Sequence, residues 1–106
     1  MSKDYEEFIE TNIVKANSKL NETMQVTIDV SMYPNKEDFI PPIKGFIKEI
    51  NTYKDLKILT FPTSTVIQGR YDYAMDSVKR TIATCHKKFK NAVYVIKVIP
   101  DYKALD

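Results

Sequence analysis

The apolar residues Tyr5, Phe8, Ile9, Ile13, Ala16 and Leu20 recur at steps of three and four, which predicts an amphipathic helix from Lys3 to about Asn21. Its apolar stripe needs a surface to cover. From Met24 to Tyr33 the spacing changes to two. Val26, Ile28, Val30 and Met32 point one way and Thr27, Asp29, Ser31 and Tyr33 the other, the pattern of a half-buried strand. Pro34 ends it. Helical spacing returns with Phe39, Ile43, Phe46, Ile47 and Ile50, and Asp38 is a candidate N-cap. The adjacent Pro41 and Pro42 fit only in or before a first turn, where a missing N–H costs little, so regular helix begins around them. Leu56 to Phe61 reads as a strand, Pro62 closes it, and Thr63 to Gly69 reads as its antiparallel partner. A second helix opens at Asp72 or just before it, with Ala74, Met75, Val78, Ile82, Cys85 and Phe89 on one face. Lys87, Lys88 and Lys90 stand at its C-terminal end, where positive charge suits the helix dipole. A β-branched strand, Ala92 to Ile99, precedes a short polar tail.

The order is an extra helix followed by β-α-β-β-α-β. Right-handed crossovers turn that order into an α+β, ferredoxin-like sandwich: a four-stranded antiparallel sheet with two helices on one face. Residues 1–23 are then a helical extension, 24–100 the folded domain and 101–106 a tail. Two helices cover only one face of a sheet. The other face is expected to carry apolar side chains, among them Ile58, Val66 or Ile67, and Tyr94 or Val95. Apolar area of that kind marks an interface, and a sheet-paired homodimer or homotetramer is the expected assembly, with the extra helix as a competing cover.

Composition narrows the classes. A chain of 106 residues, 43% hydrophobic, supports one core and leaves none for a second domain. Sixteen basic against 14 acidic residues give a net charge of +2, without the concentrated positive field of a nucleic-acid binder. The single cysteine has no disulfide partner, the start MSKDYEEFIE lacks the apolar run of a secretion signal, and no segment reaches the roughly 18 apolar residues of a membrane span. A cytoplasmic protein without nucleic-acid or membrane partners is expected.

Catalytic signatures are sparse. Cys85 and His86 are sequence neighbours and point about 100° apart on a helix, so they do not form a nucleophile and base pair. Cys85 belongs to the apolar stripe, and His86 is expected in solvent. One His and one Cys do not make a zinc site. Neither GxxxxGK[ST] nor GxGxxG occurs. The Gly-rich, Arg-containing loop of acylphosphatases is replaced by Tyr33-Pro34-Asn35-Lys36, and the aromatic signature of RNA-recognition domains is missing. No catalytic residue, metal or cofactor is therefore expected. What remains is a set of polar residues near strand ends: Asp29, Ser31 and Tyr33 on the first strand, and Thr63, Ser64, Thr65 and Gln68 in the hairpin. Hydroxyls and amides there could read the edge of a heterocycle, although the same residue types are ordinary in strands and turns.

The segments VTIDVSMYP at 26–34, FPTSTVIQGRYDYAMDSVK at 61–79 and VYVIKV at 93–98 resemble the YkoF-like thiamine-binding family. The resemblance runs from about Gln25 to Val98. Its most specific part is the hairpin, in which small hydroxyl residues, Gln68-Gly69, an aromatic and Asp72 lead into a helix containing Met75. It implies a ferredoxin-like domain that associates through its sheet and binds thiamine or its hydroxymethylpyrimidine portion without catalysis. Carried over by position, Ser31 falls in the family's first-strand motif and Thr63, Ser64 and Thr65 in its hairpin motif. On this reading hydroxyls match the amino donor and ring-nitrogen acceptors of an aminopyrimidine, Tyr33 stacks on the ring, and Asp29 balances a thiazolium cation or makes a contact across the oligomer. The chain departs from the family in its N-terminal helix and in Pro62, where relatives often carry Gly. The alternative reading is a protein–protein interaction module that uses the open sheet face and the N-terminal helix.

Overall fold

The computed structural model describes residues 23–35, 37, 38 and 40–105. The helix expected over residues 3–21 lies outside them. The order found is β1 (Gln25–Pro34), α1 (Ile40–Ile50), β2 (Lys57–Thr60), β3 (Thr65–Arg70), α2 (Tyr71–Phe89) and β4 (Ala92–Pro100). All neighbouring strands are antiparallel and run β2-β3-β1-β4 across the sheet, the α+β ferredoxin-like arrangement.

The alternation in β1 does what its spacing predicts. Val26, Ile28 and Val30 are buried beneath the helices, and Ile67 of β3 joins them opposite Ile28. Phe46 and Ile50, one turn apart on α1, close the core with Ala74, Val78 and Cys85 of α2. Each of the Val, Ile and Phe side chains among them, removed from water, contributes about 1.5–3 kcal/mol. Pro41 and Pro42 sit in the first turn of α1, where no intrahelical N–H bond is lost. At its other end Asn51 Nδ2 donates to the Ile47 carbonyl at 2.7 Å and Thr52 Oγ1 to that of Glu49 at 2.7 Å, which satisfies carbonyls left open by the end of the helix.

Registers fix the faces. Leu59 pairs with Val66, Asp29 with Val66 and Lys97, Ser31 with Val95, and Tyr33 with Val93, so these side chains share the face away from the helices. Val93 is 61% and Val95 47% exposed there. Ile58 pairs with Ile67 and packs against the core, as does Tyr94. The expectation that Ile58 faces outward is thus corrected: the hairpin register places Leu59 there instead.

The tail is part of the fold. Asp101, at φ 56°, turns the chain back over the open face. Thr27 Oγ1 donates to the Tyr102 carbonyl at 2.7 Å and accepts from the Ala104 N–H at 3.1 Å. Gln68 Oε1 accepts from the Leu105 N–H at 2.7 Å. Thr27 and Gln68 are cross-strand partners on this face, and they are only 2% and 4% exposed.

Candidate functional site

The hairpin between β2 and β3 is closed by the Phe61 N–H, which donates to the Ser64 carbonyl at 2.8 Å, leaving Phe61-Pro62-Thr63-Ser64 as a four-residue connection. Pro62 presets its backbone angle at the second of these positions. This turn leans over the end of α1 and the core side of β1. Between them lies a cavity of about 70 Å³. Val30 and Met32 of β1 and Ile43, Phe46 and Ile47 of α1 form its apolar walls, and Thr60 to Thr65 form its rim.

The rim carries four hydroxyls, those of Thr60, Thr63, Ser64 and Thr65. The first and last are register partners with their oxygens 3.3 Å apart, a shared hydrogen bond that can orient either hydroxyl as donor. Thr65 is buried, Ser64 half-buried and Thr63 exposed, so the hydroxyls step from the floor of the cavity to solvent. A flat ring with mixed donor and acceptor atoms meets apolar contact on its faces and switchable partners on its edge. At about 70 Å³ the cavity is smaller than the roughly 150 Å³ that encloses a benzene ring, so it can take an edge of a ring but not enclose one.

The seven residues singled out from sequence fall on two surfaces. Thr63, Ser64 and Thr65 line the cavity. Asp29, Ser31 and Tyr33 lie on the opposite, open face, as does Gln68, whose amide oxygen is taken by the tail. The sheet separates the two groups within one protomer. Asp29 has a buried Oδ1 that makes no hydrogen bond, with Lys97 beside it in register. Tyr33 borders a wide recess with Asn35, Asn91 and Val93 at the far end of β1 and β4. Sequence reasoning missed Thr60, Phe46 and the α1 isoleucines as cavity residues. Thr60 is the register partner of Thr65, a pairing visible once the hairpin is aligned.

Other chemistry-bearing residues resolve simply. Cys85 is a buried free thiol and His86 is exposed. Burial pushes the Cys85 thiol pKa up, with Glu49 adding to the rise. The Tyr94 ring tilts against Phe46 with centroids 6.0 Å apart, and its buried hydroxyl lies beside the Cys85 thiol. Burial first, and the neighbouring Cys85 second, push its pKa up to about 12. Among the described residues no three His, Cys, Asp or Glu gather as a metal site, and no helix is long and apolar enough to cross a membrane.

No family model matches the chain, and no curated protein matches it. Solved structures do. Protein SP2199 of Streptococcus pneumoniae superposes with a TM-score of 0.66 at 19% identity, over 71% of this chain and 84% of its own. The hypothetical protein MJ1052 of Methanocaldococcus jannascii gives 0.64 at 24% identity, over 77% and 84%. A candidate thiamine biosynthesis/salvage protein of Thermotoga maritima, TM0486, gives 0.61 at 27% identity, over 76% and 85%. The first two likenesses establish the fold. The third adds a neighbour assigned a thiamine-related role and is consistent with the YkoF-like resemblance.

Proposed function

We propose that this chain is a non-catalytic small-molecule binder that takes the aminopyrimidine ring of thiamine, or free hydroxymethylpyrimidine, by its edge into the hairpin cavity. The observation that carries the reading is the cavity itself, with apolar walls from β1 and α1 beneath a rim of four hydroxyls. The likeness to the Thermotoga protein supports the ligand class. Thr65 and Thr60 share one hydrogen bond, so the pair can offer a donor to a ring nitrogen or an acceptor to the exocyclic amine by rotation alone. In this reading the cavity takes the polar edge of the pyrimidine, and the thiazolium half of thiamine stays outside. Asp29 and Tyr33, on the far side of the sheet, serve the assembly in this reading instead of the ring: the chain self-associates through its sheet as a homodimer or homotetramer, and Asp29 Oδ1 awaits a donor from the second copy. Transport, salvage and sensing all suit a binder of this kind in the cytoplasm.

Calorimetric titration of the full chain with thiamine, hydroxymethylpyrimidine and thiamine phosphate tests the reading. Saturable heat with at least one is expected; three flat titrations would remove it.

A second reading, a protein–protein interaction module, rests on Val93, Val95 and Leu59, which leave the open face apolar beyond the reach of the tail. Flat titrations together with capture of a distinct protein through that face would favour it.

A further inference from the structure

The layer of helices stops short of one strand. Register sets Ile96, Val98 and Pro100 of β4 against Val30, Ile28 and Val26, which are buried beneath the helices, so all six side chains share that face of the sheet. Yet Ile96 and Val98 are each 39% exposed, and Pro100 is exposed as well. The difference arises because α2 packs mainly over β3 and β1. An apolar strip is left along the flank of α2, with half-buried Tyr94 at its head and Pro100 at its foot. Residues 94–100 span about 20 Å at the usual rise of a strand.

The chain enters the sheet at the foot of this strip. The Met24 carbonyl accepts from the Tyr71 N–H and the Gln25 carbonyl from the Asp101 N–H, each at 2.8 Å, so residues 24 and 25 sit in the corner between the first turn of α2 and the end of β4. On the open face the same end of the sheet is taken by the tail, bound to Thr27 and Gln68. A preceding segment that turns back here meets bare apolar surface on the helix side and an occupied surface on the other. The sequence predicts an amphipathic helix over residues 3–21, with a stripe of Tyr5, Phe8, Ile9, Ile13, Ala16 and Leu20, and a helix of that length spans about 28 Å, enough to cover the strip.

Charge agrees with the direction that this entry point imposes. A helix ending at the foot of the strip runs antiparallel to α2, which begins there. Asp4, Glu6, Glu7 and Glu10 crowd the first half of the segment, and Lys15 and Lys19 lie in its second. Along α2 the order is reversed: Asp72 and Asp76 come early, and Lys87 and Lys88 come at the end, followed by Lys90. Antiparallel neighbours bring opposite charges together at both ends and oppose the two macrodipoles, whereas parallel ones would set like charges against like.

We propose that residues 3–21 dock in the same chain as a third helix on the strip of Ile96, Val98 and Pro100, beside α2 and antiparallel to it, with Ile9, Ile13, Ala16 and Leu20 as the covering side chains. The ligand cavity plays no part in this docking.

Methyl NOE spectra of the full chain, recorded on labelled protein and on an equal mixture of labelled and unlabelled chains, test it. Cross-peaks from Ile13 and Leu20 to Ile96 and Val98 are expected, and in the mixed sample they stay within one chain. Ile13→Asp is expected to abolish them and to speed tryptic cleavage within residues 1–22 at least about tenfold, with the contacts between β1 and β3 unchanged. If that variant fails to fold, the parent spectra alone decide. Cross-peaks to Leu59, Val93 or Val95 instead, cross-peaks found only between chains, no cross-peaks at all, or equal cleavage of a folded variant and the parent would overturn the proposal.

Discussion

Tyr94 shows how one buried polar atom couples the core to pH. Its buried hydroxyl sits beside Cys85, and burial first raises its pKa from the ordinary 10.0 to about 12. The folded state thus holds the phenol proton more tightly than the unfolded chain does. The sign follows directly: this contribution to stability is complete below pH 10.0 and is lost as pH rises through about 12. Urea unfolding of the parent and of Tyr94→Phe should therefore diverge between these limits, the parent losing stability with rising pH and the variant losing less; parallel curves would contradict this account. At the same scale, Ser77 and Thr81 explain a gap in the sequence reading. Both are buried on the core face of α2, where an apolar stripe predicts hydrophobic residues. Their hydroxyls donate to the Tyr73 and Ser77 carbonyls four residues back, at 2.7 and 2.8 Å, which satisfies them within the helix and makes them behave as small core residues. Hydropathy alone does not show that.

Among the elements, period-2 and period-3.6 patterns located every strand and both helices of the described residues to within two residues, because each element buries one face only. Registers and the tail were less legible. A one-residue choice of hairpin alignment moves Ile58 from one face to the other, and that choice is made by the four-residue turn closed between Phe61 and Ser64. The polar tail carries no periodicity, since its own backbone makes the bonds while Thr27 and Gln68 supply the side chains. Replacing both, Thr27→Val with Gln68→Met, should leave the sheet intact and free the strap, so that the Ala104 and Leu105 amides exchange faster by NMR. Close packing between the helices gives a sharper test. A Cβ at Gly45 would run into the Phe89 ring, so Gly45→Ala must displace that ring. A loss of about 1–3 kcal/mol in denaturant unfolding is expected, reduced when Phe89→Ala is present in the same chain.

For the molecule as a whole, the sheet divides the candidate residues between its two surfaces. Seven polar residues read as one group from sequence separate into a hairpin cavity under the helices and an open face that carries Asp29, Ser31, Tyr33 and Gln68. Sequence spacing places residues on strands but does not say which side of a hairpin a rim will close against; α1 decides that here, by bringing Ile43, Phe46 and Ile47 under the turn. The central claim is that this cavity, and not the open face, receives the edge of the ligand ring. The most direct measurement is a two-dimensional NMR titration of the full chain with thiamine, repeated on Ser64→Ala combined with Thr65→Val, and separately on Ser31→Ala. Saturable shifts confined to residues 43–47 and 60–65 are predicted, with affinity weakened by about 1–3 kcal/mol in the double variant and unchanged in Ser31→Ala. Shifts centred on Asp29, Ser31 and Tyr33, or none at saturating thiamine, would contradict the account.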